Sequence, residues 1–205
     1  MNIDPIFSIL VLIISVVIHE VSHGYMADFL GDPTAKLAGR LTLNPIKHLD
    51  LWGSIIIPLI FILTPGGFIF GWAKPVPYNP YNLRGRWGLS SRASEAMVAF
   101  AGPLSNISVA VFFGILVRLG FFNSTLITPV ASIVLINLVL AIFNLIPIPP
   151  LDGSKILFSI LPLRFADLRF KLERSGFILV LLFIFFLWQL FVPLIFFIFS
   201  LLTGL

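Results

Sequence analysis

Cysteine is absent from the chain, and charged residues are scarce. The lack of cysteine excludes disulfide bonds, thiolate metal ligands and cysteine nucleophiles. Asp, Glu, Lys and Arg together make up 11% of the 205 residues, whereas soluble domains carry about 25%. The net charge of +4 is small and its basic residues are dispersed, so the composition does not indicate a protein that binds nucleic acid.

Apolar residues dominate instead, at 59% of the sequence with a mean hydropathy of +1.08. This composition is typical of a membrane protein. Four runs are long enough to cross a bilayer as helices of about 20 residues, and they lie at 5–26, 96–119, 129–146 and 176–202. The first run has neither a basic n-region nor a small-residue cleavage site, so we interpret it as a retained span. We therefore predict an all-α polytopic membrane protein in which residues 1–205 form a single membrane-embedded domain.

A fifth apolar stretch, Leu51–Phe70, contains two prolines and a Gly-Gly pair, which disfavour one straight helix. We predict a re-entrant element over about 51–78, with a half-helix to Ile62 followed by an extended or β-hairpin part. The connections before and after this element, and the segment after the third span, are basic, whereas 123–128 carries no charge. The positive-inside tendency then places the basic segments in the cytoplasm and both termini outside.

The stretch HEVSH in the first span combines His19, Glu20 and His23. On a helix, the two histidines lie one turn apart on one face and can reach the same ion. This H-E-x-x-H pattern is typical of metalloproteases, in which the two histidines bind Zn²⁺ and the glutamate acts as general base. The alternative is that the three residues only make hydrogen bonds inside a helix bundle. Lipid offers no partners for such groups, so we favour the metal site.

Catalytic zinc usually has three protein ligands, and Asp152 is the candidate for the third. It follows the third span, after prolines that end the helix and before Gly153, which permits a sharp turn. An isolated Asp-Gly pair is otherwise typical of a surface turn. The predicted topology brings the ends of the first and third spans to the same side of the membrane, where His23 and Asp152 can meet.

Four motifs together resemble the site-2 protease family of intramembrane zinc metalloproteases, in particular its short bacterial and archaeal members without PDZ or CBS domains. They are HEVSHG, GWAKPVPYNP, AGPLSN and NLIPIPPLDGSKIL. The resemblance implies one Zn²⁺ held by His19, His23 and Asp152, with Glu20 as the catalytic base. It also implies cleavage of a peptide bond within or near the transmembrane helix of a protein substrate.

The resemblance further implies that Asn144 positions the substrate or stabilises the oxyanion, although a bond between helices explains Asn144 equally well. The resemblance also implies that Phe68–Tyr78 is the counterpart of a β element that pairs with unfolded substrate. With the charge pattern, these motifs predict a multi-pass protein of the cell membrane whose active site lies near the cytoplasmic side. The partners expected are membrane lipid and a transmembrane substrate, with no nucleic acid, and the oligomeric state is open.

Two other functions are compatible with the same residues. In a metal or proton transporter, the HEVSH residues would form a relay, but Phe7–Ile14 offers almost no polar path to the outer face. A catalytically inactive scaffold that binds transmembrane helices is disfavoured by the presence of Glu20. We interpret AGPLSN as a small-residue packing face and His48 as a loop or interfacial histidine outside the metal site.

Overall fold

The computed structural model describes residues 5–56, 73–83 and 89–205, and these ranges contain helices and connecting segments but no β-strand. The α-helices are α1 (Pro5–Phe29), α2 (Thr34–Leu37), α3 (Ser91–Arg118), α4 (Ser124–Asn144), α5 (Asp152–Ile160), α6 (Ala166–Arg174), α7 (Gly176–Leu182) and α8 (Val192–Thr203). Short 3-10 or π turns lie at Pro45–His48, Leu51–Ile56, Pro80–Asn82, Leu163–Phe165, Phe183–Leu187 and Trp188–Leu190.

Three of these helices, α1, α3 and α4, are long and apolar enough to cross a membrane. A fourth span is possible if Gly176–Leu190 and Val192–Thr203 are counted together, although these two pieces meet at an angle of 57°. The predicted all-α polytopic fold is therefore confirmed. The last predicted span is not one straight helix, because π and 3-10 turns interrupt it before α8 and Pro193 stands in the first turn of α8.

Polar caps set where α3 and α4 begin, and both helices begin before the apolar runs that predicted them. The Ser90 side chain accepts a hydrogen bond from the Ala93 N–H at the start of α3. The Asn123 side chain accepts one from Leu126 N–H at the start of α4. A hydrophobic run marks the part of a helix in lipid, whereas the cap marks where the helix begins.

Helix α3 is the centre of the bundle, because it packs against α1, α4, α5 and α8. One core cluster joins α3, α4 and α8 around the small residues Ala110 and Ala131, both fully buried. Small side chains let membrane helices approach closely, and the same close approach brings polar side chains of α1, α3 and α4 into contact.

The predicted re-entrant region is described only at its two ends. Leu51–Ile56 forms a π-helical turn, and residues 73–79 have no regular secondary structure. Pro75 and Pro77 favour an extended backbone in this segment. The predicted half-helix to Ile62 and the β element from Phe68 fall largely on 57–72, outside the described residues. The extended end is anchored, because Lys74 N–H donates to the His48 carbonyl at 2.9 Å and the Arg40 guanidinium donates to the Lys74 carbonyl at 2.8 Å.

Candidate metal centre

The two histidines of HEVSH and the aspartate of LDG meet in the interior of the bundle. The Nε2 atoms of His19 and His23 each lie 3.1 Å from the same atom, Asp152 Oδ2. One candidate ligand atom from each of the three residues lies within 4.8 Å of the other two. All three residues are buried. The structure therefore brings together the three side chains that the sequence predicted as ligands.

Asp152 reaches this place from the first turn of α5 and not from a loop. Leu151 is extended, and the helix begins at Asp152 itself. Gly153 does not make the predicted sharp turn but lies in the same first helical turn. A Cβ atom at Gly153 would stand 2.5 Å from the Ile146 carbonyl oxygen. Glycine is thus required here because α5 begins directly against the backbone that ends the third span.

The other ring nitrogens of the two histidines have fixed partners. His23 Nδ1 lies 2.7 Å from the Val98 carbonyl oxygen, and His19 Nδ1 lies 2.6 Å from Asn106 Oδ1. A carbonyl oxygen only accepts, so each neutral ring carries its proton on Nδ1 and presents a lone pair on Nε2. Two imidazole lone pairs and a carboxylate oxygen then converge without a proton between them, an arrangement that a cation stabilises.

Zinc fits this donor set in chemistry and in spacing. Imidazole nitrogen and carboxylate oxygen are zinc ligands, and at about 2.0–2.1 Å from a tetrahedral ion they stand about 3.3 Å apart. The observed separations of 3.1 Å between each histidine Nε2 and Asp152 Oδ2 are close to that value. The Nδ1 hydrogen bonds are the contacts that usually orient metal-binding histidines.

Gly102 keeps the space beside the imidazoles open. A Cβ atom at this position would lie 2.6 Å from His19 Nε2 and closer still to His23 Nε2. No side chain fits there without displacing a candidate ligand. The AGPLSN motif is therefore a small-residue face, as predicted, but the neighbour of its glycine is the metal centre and not only another helix.

Glu20 lies next to His19 on α1 and is half-buried. Its Oε2 atom accepts a hydrogen bond from the Val76 N–H at 2.9 Å. Lys155 Nζ lies 3.8 Å from Asp152 Oδ1 and 5.2 Å from the centre of the Tyr78 ring. The extended residues 73–79 thus border the metal centre and contact the predicted base directly.

The family comparison agrees with this site. The model of Peptidase family M50 matches residues 7–123 and 120–188. The chain belongs to peptidase family M50. This M50 protease is 40% identical over 184 residues, 85% of the chain, to the Bacillus subtilis (strain 168) protein named "Putative zinc metalloprotease YwhC", of which it covers 78%.

Two further relatives carry names of the same kind. The M50 protease is 32% identical over 157 residues to MJ0611 of Methanocaldococcus jannaschii, covering 75% of this chain and 73% of that one. It is 30% identical over 143 residues to Rip2 of Mycobacterium tuberculosis (strain H37Rv), covering 69% of this chain and 52% of Rip2, about half the length of that protein. Both are named as zinc metalloproteases. No solved structure matches the chain.

These matches confirm three predictions: the site-2 protease resemblance, an intramembrane zinc metalloprotease, and zinc as the cofactor. The match to the family extends over both halves of the candidate site, since it includes α1 with HEVSH and α5 with Asp152. The roles of the individual residues are supported by the geometry of the site, and mutation can test them.

Asn144 and His48 lie outside the group of candidate ligands. The Asn144 side-chain amide donates to the Leu140 carbonyl at 2.9 Å, one turn earlier in α4. This bond lies within one helix, so it is not the bond between helices considered as the alternative. His48 is buried, with Nε2 2.8 Å from the Thr42 carbonyl oxygen. Among the described residues, the group that could hold a metal contains His19, His23 and Asp152 but not His48.

Sequence reasoning missed the groups that hold the site from outside. Asn106 carries a signal that could have been used, because an amide inside an apolar span needs a partner for the same reason as His19. The Val98 carbonyl and the Val76 N–H carry no such signal. Backbone groups are present at every residue, and only the fold selects which of them face a histidine or a glutamate.

Proposed function

We propose that this M50 protease hydrolyses a peptide bond within or next to a transmembrane helix of a membrane-protein substrate, with its active site at the cytoplasmic edge of the cell membrane. One observation carries the proposal: two imidazole nitrogens and a carboxylate oxygen converge at the ends of membrane helices, and a second carboxylate, Glu20, follows His19 on the same helix. Burying these polar side chains within a membrane is costly. Metal-dependent hydrolysis of a peptide bond requires this combination of side chains.

In this proposal His19, His23 and Asp152 hold the zinc ion, and Glu20 moves the proton. A zinc ion held there supplies polarisation of a water molecule and of the scissile carbonyl. Glu20 accepts a proton from the attacking water and later donates it to the leaving amine. The Val76 N–H keeps one oxygen of Glu20 in place, which leaves the other oxygen to face the reacting groups.

The extended residues 73–79 are the proposed docking edge for the substrate. A helix hides its peptide bonds in its own hydrogen bonds, so a substrate helix must unwind locally before cleavage. Pairing with an extended segment replaces the hydrogen bonds that the unwound substrate loses. Asn144, at the end of the third span, is the proposed residue that positions the substrate or its oxyanion, consistent with the family resemblance.

The charge distribution supports the cytoplasmic placement. Ten of the eleven Lys and Arg residues in the described ranges belong to segments that connect the spans on the side of Asp152, and only Arg118 lies at the far end of α3. The positive-inside tendency assigns the side rich in Lys and Arg to the cytoplasm. The transporter alternative lacks such support, because the outer half of α1 remains apolar.

Cleavage of a model transmembrane substrate by purified protein in lipid tests the proposal. Glu20→Gln is expected to retain zinc while cleavage falls by about 10²–10⁴-fold, the usual contribution of a general base. Asp152→Ala is expected to lose zinc. Asp28→Asn is the matched control, since Asp28 lies on α1 but pairs with Lys36 at the surface, 3.5 Å away.

Each outcome of these experiments tests a separate part of the proposed function. Unimpaired cleavage by Glu20→Gln would remove Glu20 from the mechanism. Unchanged zinc affinity in Asp152→Ala would show that the third ligand is misassigned. A wild-type protein that binds zinc and the substrate helix without cutting it would favour the scaffold over the protease.

A further inference from the structure

We propose that Asn137, on α4, is a positioning residue of the zinc site: acting through Asn106, it fixes which ring nitrogen of His19 carries the proton, so that Nε2 presents a lone pair to the metal. Asn137 belongs to none of the motifs that identify the family resemblance. The inference rests on the proposed role of His19 as a zinc ligand. It adds a fourth helix, α4, to the three helices α1, α3 and α5 that carry the candidate ligands and their direct partners.

Asn106 and Asn137 form a chain of amides between α1, α3 and α4. Both side chains are 0% exposed. The Asn106 Nδ2 group donates to Asn137 Oδ1 at 2.9 Å and to the Ser15 carbonyl at 3.2 Å. The Asn137 Nδ2 group donates to the Ser15 hydroxyl and to the Ile133 carbonyl, both at 2.9 Å. All the polar atoms of the two amides therefore have partners, with His19 accounting for Asn106 Oδ1.

The Ile133 carbonyl gives this chain a direction. A backbone carbonyl only accepts hydrogen bonds, so the NH₂ group of Asn137, and not its oxygen, must face Ile133. Asn137 Oδ1 then faces Asn106 and requires the Asn106 NH₂ group there. The Ser15 carbonyl also accepts only, so it likewise requires the NH₂ group of Asn106 to face it. The Asn106 oxygen is left to face His19, which must carry its proton on Nδ1.

The opposite orientation would close the site to a cation. If the amide of Asn106 rotated by half a turn, its NH₂ group would face His19 Nδ1 and favour the ring form with the proton on Nε2. That proton would point at Asp152 Oδ2, 3.1 Å away, and occupy the direction of the lone pair. His23 needs no such chain, because the Val98 carbonyl fixes its Nδ1 proton directly. The amide chain is thus the means by which the bundle selects the form of His19 that binds metal.

Asn137→Leu tests the inference, because it keeps the number and branching of the side-chain heavy atoms and removes both amide functions. Zinc affinity is measured on the full chain in detergent by competition with a chelator. Loss of a partner that orients a metal ligand weakens binding by about 10–100-fold. We expect that range for Asn106→Leu and about 3–10-fold for Asn137→Leu, which acts one residue further away. Ser132→Ala is the control, since it removes another buried hydrogen bond within α4.

A second measurement separates positioning from a merely structural role. The chain has only three histidines, so ¹⁵N NMR of histidine-labelled, metal-free protein can identify the protonated nitrogen of each ring. Wild type is expected to show the Nδ1–H form of His19. Asn137→Leu is expected to show a mixture of the two forms, while His23 is unchanged. Asn137→Ala also removes the acceptor that faces the Asn106 NH₂ group and adds no bulk, so it should give the mixture even if the leucine variant does not fold.

The outcomes separate this inference from the proposed function. If both Asn137 variants keep wild-type zinc affinity and a single Nδ1–H form of His19, the inference is wrong, whatever their thermal stability. If His19→Ala binds zinc as tightly as wild type, the proposed ligand set itself fails. Loss of zinc in His19→Ala with no change in the Asn137 variants would leave the proposed function standing and remove only the role of Asn137.

Discussion

The proposed zinc ligands and the proposed base are held by two different kinds of structure. His19 and His23 are oriented by groups on the long helix α3, namely the Asn106 amide and the Val98 carbonyl. Glu20 is oriented by a connecting segment, through the single N–H of Val76. Helix-borne groups move only if the bundle moves, whereas an extended segment can shift by itself. The comparison suggests a rigid ligand set next to a base that can adjust when substrate arrives.

The connecting segment is nevertheless tied at more than one point. Arg40 holds the Lys74 carbonyl before Val76, and Asp32 accepts a hydrogen bond from the Asn79 N–H after it, at 2.6 Å. Both anchors come from the stretch that follows α1. The groups that hold the segment against Glu20 therefore follow directly in sequence on the helix that carries H-E-x-x-H.

The largest expected effect comes from the rigid side of the comparison, at Gly102. In Gly102→Ala, the added methyl group would stand 2.6 Å from His19 Nε2 and displace the imidazoles. We expect zinc affinity to fall beyond the roughly 100-fold upper range for losing a ligand's hydrogen-bond partner, and cleavage to be lost with it. Chelator competition and substrate cleavage measure the two effects.

Gly114→Ala is the matched control on the same helix. A Cβ atom at Gly114 would stand 2.9 Å from Leu202 Cβ, at a packing contact with α8. Crowding of this kind costs about 1–3 kcal/mol of stability, and zinc affinity should not change. If the two variants lose zinc equally, the effect of Gly102 reflects helix packing and not the space beside the ligands.

A smaller effect is expected from the adjustable side, at Val76. Val76→Pro removes the N–H that binds Glu20 Oε2. A hydrogen bond to a charged group contributes about 1.5–3 kcal/mol, so we expect cleavage to slow by about tenfold or more. Zinc affinity should stay at the wild-type value, because none of the three ligands contacts Val76 N–H.

Val76→Ala provides the comparison for that variant, since it shortens a buried side chain but keeps the N–H. A drop in cleavage of equal size in both variants would assign the effect to packing of the side chain. A loss of zinc in Val76→Pro alone would contradict the separation between ligands and base.

The meeting of the three candidate ligands could be predicted from the sequence because each of these side chains conflicts with its surroundings. His19, Glu20 and His23 are costly in an apolar span, and Asp152 follows directly on another span, so chemistry at a common site explains them. Asn106 and Asn137 conflict with their spans in the same way, but a single asparagine does not reveal which helix its amide faces. The start of α5 at Asp152 and the bend before α8 depend on packing between distant segments, which no local pattern encodes.

The smallest expected effect concerns the anchor of the connecting segment at Asp32, which is fully buried. Its carboxylate accepts hydrogen bonds from the Thr34 N–H, the Thr34 hydroxyl, the Asn82 amide and the Asn79 N–H. Burial acts to raise the pKa of Asp32, but these four bonds outweigh it, and the pKa lies below its ordinary value of 3.8. Asp32→Asn must turn an NH₂ group toward at least one donor, which costs about 1–3 kcal/mol.

The pH dependence of the stability of the folded protein tests this anchor independently of the zinc site. A carboxyl group whose pKa is lowered by folding stabilises the folded protein above its unfolded pKa, and this stabilisation is lost as the pH falls through the folded value. The difference in melting temperature between wild type and Asp32→Asn should therefore stay constant from pH 8 to about 5 and shrink below about pH 4. Thermal melts of the metal-free proteins measure it, with Asp28→Asn, at the partly exposed ion pair with Lys36, as control. Cleavage at pH 7 should fall by only about two- to threefold, because Arg40 still holds the segment at its other end, an offset of under about 1 kcal/mol. A pH-independent difference in melting temperature would mean that Asp32 contributes through shape alone. A loss of cleavage as large as that of Val76→Pro would mean that Asp32 alone holds the segment against Glu20.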